Sequence, residues 1–249
     1  MFSWFPSNQI PFETASLQRG GGWAPRYCDY KEISFNSEKG VRIRAQLLTP
    51  TNRTEATPFL IYAKRAGDSI YPSDFDELLP LLGRFQVLIL HSRFTEQPMS
   101  AVEYTDIERS SAWIGRTIAG MQIWDILRAI EWTMNEEKLS TQSVSIYGKG
   151  DMGILSMYAA LFDVRVQTVI LNDAPDSHWQ HPALLNVLRV TDISEVAGAL
   201  APRRLVSLTD YAKSFDYTRD LYKLAGAPTR MAQATSLAEA VEIWKVPAR

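Results

Sequence analysis

The chain has 249 residues and a formal net charge of −2, and a chain of this length suits a single domain built on one sheet. Hydrophobic residues make up 46% of the sequence and charged residues 22%, which excludes a disordered or fibrous protein. The near-zero charge and the lack of a Lys/Arg run exclude nucleic acid as a partner, and the single cysteine, Cys28, excludes a disulfide framework and a cysteine-based zinc module.

The N-terminal segment MFSWFPSNQIPFETASLQRGGGWAP contains neither a basic n-region nor an apolar h-region, so it predicts no signal peptide. No stretch of about 18 uncharged apolar residues occurs, so the sequence predicts no membrane-spanning segment and no membrane partner. We expect the protein to be cytoplasmic, or to be part of a longer exported polypeptide.

Residues 1–29 are predicted to form an irregular arm, because clustered proline and glycine rarely build regular elements. Residues 30–50 alternate apolar and polar side chains on either side of residues 37–40, which predicts an antiparallel hairpin. We expect residues 30–249 to form a single domain against which the arm packs.

Apolar strands and helical segments alternate from Phe59 onward. The predicted strands cover residues 59–64, 86–92, 143–148, 166–172, 203–208 and 229–234, and the predicted helices cover residues 73–85, 118–137, 152–162, 192–200, 217–226 and 236–246. Near-continuous Val/Ile/Leu strands joined by helices predict parallel pairing in a sheet covered on both faces. The predicted fold class is therefore α/β, a doubly wound, mostly parallel sheet of about eight strands with an N-terminal antiparallel hairpin.

The segment SIYGKGDMGILSMYAALFD, residues 145–163, predicts a buried strand, a tight turn and a helix. A nucleophile elbow, G-x-S-x-G, has this form and presents its serine beside helix N–H groups that hold an oxyanion. In this chain Gly148 takes the first glycine position, Gly150 the serine position and Met152 the second glycine position. Because glycine has no side chain, nucleophilic catalysis at this position is impossible.

The hairpin, the order of strands and helices, and residues 115–171 resemble the α/β-hydrolase superfamily, in particular its acetyl xylan esterase and dienelactone hydrolase-like branch. In that branch a long helix with a D-x-x-R-A-[IV] stretch precedes the elbow strand, and here the stretch begins with Asp125 and continues through Arg128 to Ile130. The resemblance covers about residues 30–249 and implies an α/β-hydrolase fold with a Ser-acid-His triad.

The resemblance assigns the three triad positions to Gly150, Asp210 and the turn at Thr235 or Ser236. No histidine follows His181, so two of the three catalytic groups are missing. The sequence therefore predicts a catalytically degenerate protein, lacking the serine and the histidine, that serves as a binding or structural module.

The alternative is a working carboxylic-ester hydrolase with relocated catalytic groups such as Asp151 and His91. An elbow aspartate serves as nucleophile in some α/β-hydrolases, but this frame places bulky Lys149 where the turn needs a small residue. A structural explanation of Asp151 is that the helix dipole favours a carboxylate in the first turn of a helix. His91 ends a strand at the carboxyl edge of the sheet, where doubly wound sheets bind ligands. Its role is either in a binding or catalytic site or that of a hydrogen-bonded structural histidine.

Several cationic side chains are predicted to lie near the same sheet edge. Two of them, Lys64 and Arg65, belong to the turn that holds a His-Gly-type pair in the resembled family. They form either an anion-binding pocket or a solvated rim. The candidate pocket residues are Lys64, Arg65, His91, Arg116, Lys149 and Met152.

His178 and His181 follow a predicted strand together with Asp173 and Asp176. A loop of this composition is more typical of solvated surface than of a metal site, so we expect no metal and no cofactor. The expected partners are a small-molecule or carbohydrate ligand, a second copy of the chain, or a companion hydrolase domain that is active.

Overall fold

A computed structural model of the protein describes residues 5–6, 10–17, 28–54, 57–69, 71, 76–96, 99–136 and 144–245. The strands are β1 (Ala15–Leu17), β2 (Cys28–Glu38), β3 (Val41–Pro50), β4 (Phe59–Ala63), β5 (Gln86–His91), β6 (Val144–Lys149), β7 (Val166–Asn172), β8 (Arg204–Ser207) and β9 (Met231–Gln233). The α-helices are α1 (Ala101–Trp113), α2 (Ile118–Glu136), α3 (Asp151–Phe162), α4 (Ile193–Gly198), α5 (Asp216–Leu224) and α6 (Leu237–Lys245).

The described strands form one nine-stranded sheet in the order β1-β2-β3-β5-β4-β6-β7-β8-β9. Pairing is antiparallel from β1 to β5 and parallel from β5 to β9. The carboxyl ends of β4 to β9 therefore meet at one edge, where open sheets of this kind bind ligands. The predicted doubly wound, mostly parallel sheet is confirmed.

The predicted hairpin is β2 and β3, in which Ser34 pairs with Arg44. Gly40 closes its turn at φ +78°, a backbone conformation that glycine adopts without steric cost. The segment predicted to be an irregular arm contains strand β1, which pairs with β2. Other parts of that arm lie outside the described residues.

Helices α2 to α5 cover one face of the sheet, and α6 covers the other together with the segment that precedes β5. Ile126 and Ile130 of α2 pack in the same cluster as Leu88 and Leu90 of β5. On the opposite face, residues of α6 pack against strand residues such as Leu60 and Val87. The strands bury apolar side chains on both sides because both faces are covered.

The prediction of a helix over residues 73–85 is wrong for residues 76–85, the part that the structure describes. Only Asp76–Leu78 forms a short 3-10 helix, and turns follow it. Pro80 has no N–H to donate, and Gly83 has φ +86°, so a continuous α-helix ends here. Residues 73–75 lie outside the described residues.

Helix α1 has no counterpart among the predicted elements. Ser100 caps its first turn by accepting from the Glu103 N–H at 3.2 Å, and the Glu103 carboxylate accepts from the Ser100 N–H at 2.9 Å. This reciprocal pair is a capping box, so the S-x-x-E spacing was the sequence signal for the helix start.

Candidate functional site at the elbow

The turn between β6 and α3 has the backbone of a nucleophile elbow. Gly150 adopts φ 54° and ψ −132°, a region that only glycine enters without strain. The Gly150 N–H donates to the Asn172 carbonyl at 2.8 Å, and the Gly153 N–H donates to the Gly150 carbonyl at 3.0 Å. The bend is therefore held by hydrogen bonds on both sides.

Two glycines beside the bend allow the strand and helix to approach closely. A Cβ added to Gly148 would lie 2.5 Å from the Met152 carbonyl oxygen. A Cβ added to Gly153 would lie 3.0 Å from the Gly148 carbonyl oxygen. Met152, the predicted second elbow position and a predicted pocket residue, is buried in the core, so Gly153 supplies the small residue one position later.

Arg65 lies at the edge of the space where a nucleophile would stand. Its Nη1 atom is 3.8 Å from the position that a Cβ of Gly150 would occupy. Its Nε–H donates to Asp68 Oδ1 at 3.0 Å, and this hydrogen bond raises the pKa of the guanidinium. A permanent cation therefore borders the elbow.

The other two positions that the resemblance assigns to a triad carry side chains with local partners. Exposed Asp210 accepts from Gln233 Nε2 at 2.6 Å. Exposed Ser236 accepts from the Glu239 N–H at 3.2 Å in the first turn of α6. Within the described residues, no hydrogen bond joins Asp210 to Ser236.

The two candidate relocated groups occupy different surroundings. Burial raises the pKa of Asp151, and the opposing influence comes from His181 and His178. Burial, followed by the charges of Lys64 and Arg44, lowers the pKa of His91 to about 4. His91 is therefore a neutral imidazole at neutral pH. No hydrogen bond between Asp151 and His91 occurs among the residues that the structure describes.

Two of the predicted pocket cations are engaged elsewhere. Lys64 is fully buried, and its amino group donates to the Thr95 carbonyl at 2.7 Å and to the Arg65 carbonyl at 3.1 Å. Burial lowers its pKa. Lys149 pairs with Glu77 and lies over the ring of Tyr62. Lys64 and the amino group of Lys149 are therefore held by other partners, whereas the Arg65 guanidinium faces the space above Gly150.

Arg116, the remaining predicted cation, belongs to a cluster that we call the hairpin anchor. The hairpin anchor comprises Ser37, Glu38, Arg93, Arg116 and Asp125. Arg116 donates to Glu38 at 2.7 Å, and Arg93 donates to Asp125 at 2.6 Å and also pairs with Glu38. Burial alone would raise the pKa of Glu38, but hydrogen bonds from Arg116 and Arg93 lower it overall.

The D-x-x-R stretch of α2 contributes to this packing. Fully buried Asp125 accepts from the Arg93 backbone N–H at 2.8 Å and from the Ser37 hydroxyl. Arg128 donates to the Ile10 carbonyl at 2.8 Å, and its guanidinium lies 4.0 Å from the ring centre of Phe12. The stretch therefore fastens the hairpin and the N-terminal segment to the helix.

Arg93 and Glu38 were not predicted as site residues. Their signal was weak, because Glu38 ends β2 and Arg93 lies in the connection after β5, far apart in sequence. The pairing of β3 with β5 and the contacts of Asp125 with Ser37 and Arg93 bring the two segments together.

His178 is a structural histidine. One ring nitrogen contacts the Tyr158 hydroxyl at 2.8 Å, and the other contacts the Pro182 carbonyl at 2.8 Å. His181 is exposed. Among the described residues there is no group of three or more His, Cys, Asp or Glu side chains able to hold a metal ion. In the same part of the chain, no helix is long and apolar enough to cross a bilayer.

The sequence matches no family model and no curated protein. Solved structures do match. A Bacteroides fragilis protein described provisionally as an acetyl xylan esterase has a TM-score of 0.71 at 13% identity, over 90% of this chain and 69% of that one. An acetyl xylan esterase from Paenibacillus has a TM-score of 0.61 at 15% identity, over 91% and 82% of the two chains. A glucuronoyl esterase from Solibacter usitatus has a TM-score of 0.63 at 12% identity, over 89% and 76%.

These likenesses concern the fold, because the identities are low. The chain has the α/β-hydrolase fold, and its structural neighbours include acetyl xylan and glucuronoyl esterases. The resemblance inferred from the sequence is confirmed at that level.

Proposed function

We propose that this protein is a catalytically degenerate α/β-hydrolase-fold protein that acts as a binding or structural module. The observation that carries the proposal is Gly150, which keeps the elbow backbone at φ 54° and ψ −132° and offers no nucleophilic atom. In a well-studied serine protease, losing either the serine or the histidine costs about a million-fold in turnover. This chain has neither at the corresponding positions.

The surroundings of the elbow support the proposal. Arg65 stands at the rim of the bend, and Asp210 accepts a hydrogen bond from Gln233. Ser236 caps a helix. None of these three hydrogen-bond arrangements pairs a nucleophilic hydroxyl group with a base, as a catalytic triad requires.

For the binding role we propose a carbohydrate-related ligand, because the structural neighbours are named as acetyl xylan and glucuronoyl esterases. A thermal-shift screen against sugars, uronic acids and acetate tests this part. A ligand at one hundred times its dissociation constant should stabilise the fold by about 2.7 kcal/mol. No stabilisation by any sugar would leave the structural role as the better proposal.

Hydrolysis of p-nitrophenyl acetate tests the loss of catalysis. We expect the purified chain to hydrolyse the ester no faster than buffer, with an active acetyl xylan esterase as the positive control. Turnover that disappears after one point mutation would overturn the proposal.

The relocated-group alternative gains some support from the half-buried Asp151 carboxyl, whose pKa burial raises. It predicts turnover that is lost in both Asp151→Asn and His91→Ala. Asp176→Asn is the matched control for Asp151→Asn, since Asp176 lies in the loop after β7. The absence of a hydrogen bond between Asp151 and His91 favours the degenerate reading.

A further inference from the structure

A cavity of about 360 Å³ opens at the carboxyl edge of the sheet, between the start of β3 and the end of β5. Arg44 of β3 lies directly opposite His91 of β5 in this antiparallel pair. The residues that line it include Arg42, Arg44, His91, Ser92, Phe94 and Glu96. Its volume falls within the range of small-molecule sites, which runs from about 300 to 1,000 Å³.

This cavity is not the elbow. Strand β4 separates β5 from β6 in the sheet. Two strand spacings amount to about 10 Å, so the end of β5 is displaced by roughly that distance from the bend at Gly150.

Two side chains that line the cavity have buried polar atoms without a partner. His91 is 5% exposed and Ser92 is fully buried. Among the described residues, neither His91 Nδ1 nor Ser92 Oγ makes a hydrogen bond. Folded proteins rarely leave buried polar groups unpaired, because an unmade hydrogen bond costs free energy. A ligand that reaches both groups would remove this cost.

The charge around the cavity favours an anion. The Arg44 guanidinium forms ion pairs with Glu96 at 3.2 Å and Glu32 at 3.8 Å, but none of its N–H groups donates a hydrogen bond within the described residues. After burial, the charges of Lys64 and Arg44 are the causes that lower the pKa of His91, so these two cations both act on the imidazole. Guanidinium groups bind carboxylates and phosphates through paired N–H donors.

We propose that the cavity between β3 and β5 binds a small organic anion through a carboxylate or phosphate group, which Arg44, Ser92 and His91 hold. Arg44 supplies the charge and two N–H donors, and the Ser92 hydroxyl supplies a third donor. Neutral His91 donates from Nδ1 in one of its two tautomers. Phe94 adds an apolar side chain to the lining for the body of the ligand.

This inference goes beyond the proposed loss of catalysis and does not depend on it, because the binding groups lie away from the elbow. An active esterase and an inactive module would both bind an anion here. Binding and hydrolysis are measured separately, so failure of one proposal is distinguishable from failure of the other.

Calorimetric titration of the full chain with sodium succinate and with sodium phosphate tests the proposal, with sodium chloride at equal ionic strength as the reference. We expect saturable binding of at least one of the two anions. The anion that binds more tightly shows whether the cavity prefers a carboxylate or a phosphate group. Arg44→Gln should weaken this binding by about tenfold or more, because a hydrogen-bonded charge contributes at least that much. Arg44→Lys should restore part of it, since the charge remains without the paired donors.

Arg219→Gln is the matched control, because Arg219 also sits in an exposed ion pair, with Asp216 on α5. It should leave the affinity unchanged. Ser92→Ala should weaken binding as well, and circular dichroism verifies that each variant is folded. If Ser92→Ala does not fold, the affinities of the Arg44 variants decide whether the anion binds in the cavity.

The imidazole ¹⁵N spectrum provides an independent signal, because the chain has three histidines. We expect the bound anion to shift the His91 resonances and to leave those of His178 in place, since its ring nitrogens already contact Tyr158 and Pro182. The proposal is overturned if neither anion binds saturably, if Arg44→Gln binds as tightly as the unchanged chain, or if the His91 resonances do not move.

Discussion

The elbow and the hairpin anchor both lie in segments where the chain resembles a hydrolase. They differ in whether the backbone or the side chains make the resemblance. At the elbow a tight strand-to-helix bend is formed by Gly150, which carries no side chain. At the hairpin anchor the aspartate of the D-x-x-R stretch is present, and this residue, Asp125, binds Arg93 and Ser37 in the interior.

Physical chemistry explains the difference. Removing Asp125 would leave the Arg93 guanidinium buried without its main counter-charge, which is costly to folding. A glycine at a bend with φ +54° avoids the strain that a larger residue would have there, because glycine adopts this conformation freely. The Asp125 side chain therefore contributes to folding, whereas a side chain at position 150 would oppose it.

The largest effect is expected for Asp125→Ala, which breaks the hairpin anchor. The free energy of unfolding should fall by about 3–5 kcal/mol, because the buried Arg93 guanidinium loses one of its two counter-charges and keeps only Glu38. Urea denaturation measures this. Asp216→Ala, in an exposed pair with Arg219, should cost no more than about 1 kcal/mol. Equal costs for the two variants would contradict the structural role of the anchor.

Acid should weaken the hairpin anchor by a smaller amount, because Glu38 is one of its two carboxylates. Its pKa in the folded protein lies below its ordinary value of 4.5, so its contribution to stability is fully present above pH 4.5 and is lost as the pH falls through the folded pKa. Unfolding curves at descending pH should therefore show a loss that Glu38→Gln reduces. If both proteins lose stability with the same pH dependence, Glu38 does not carry the effect.

At the elbow, Gly148→Ala tests the close approach of strand and helix. The added Cβ would lie 2.5 Å from the Met152 carbonyl oxygen, so the backbone must shift at a cost of about 1–3 kcal/mol. Gly40→Ala is the control, because Gly40 has open space and only the cost of its positive φ. We expect the Gly148 variant to show the lower unfolding midpoint, and the opposite order would mean that the elbow is loosely packed.

The smallest effect is expected for Gly150→Ser. The new Cβ would be 3.8 Å from Arg65, an ordinary contact, so the cost is the positive φ alone, about 1–2 kcal/mol. Differential scanning calorimetry measures the lowered midpoint. A stabilised variant would show that a side chain at position 150 is not strained.

The regular parts of the fold were predictable from local sequence. Apolar runs such as the one containing Ile146 predict buried parallel strands, and the glycines from Gly148 to Gly153 predict the bend. Helix α1 was missed although Ser100 and Glu103 form a capping box, because much of its surface, including Val102 and Trp113, is exposed and shows no apolar stripe.

The candidate site was less predictable, because its partners come from distant segments. The sequence places Lys149 and Arg116 near one edge of the sheet, but it does not specify that Glu77 and Glu38 neutralise them. Arg44 could be recognised as a neighbour of His91 only once the pairing of β3 with β5 was known. Pairings between distant strands depend on the whole sheet and are not encoded in any local pattern.

Intact-mass analysis after treatment with a fluorophosphonate tests the central claim most directly, because this reagent attaches to activated serines. An active acetyl xylan esterase treated in parallel should gain the mass of one adduct. We predict that this chain keeps its mass, since Gly150 presents no hydroxyl group at the bend. A stoichiometric adduct on one side chain of the folded protein would contradict the account.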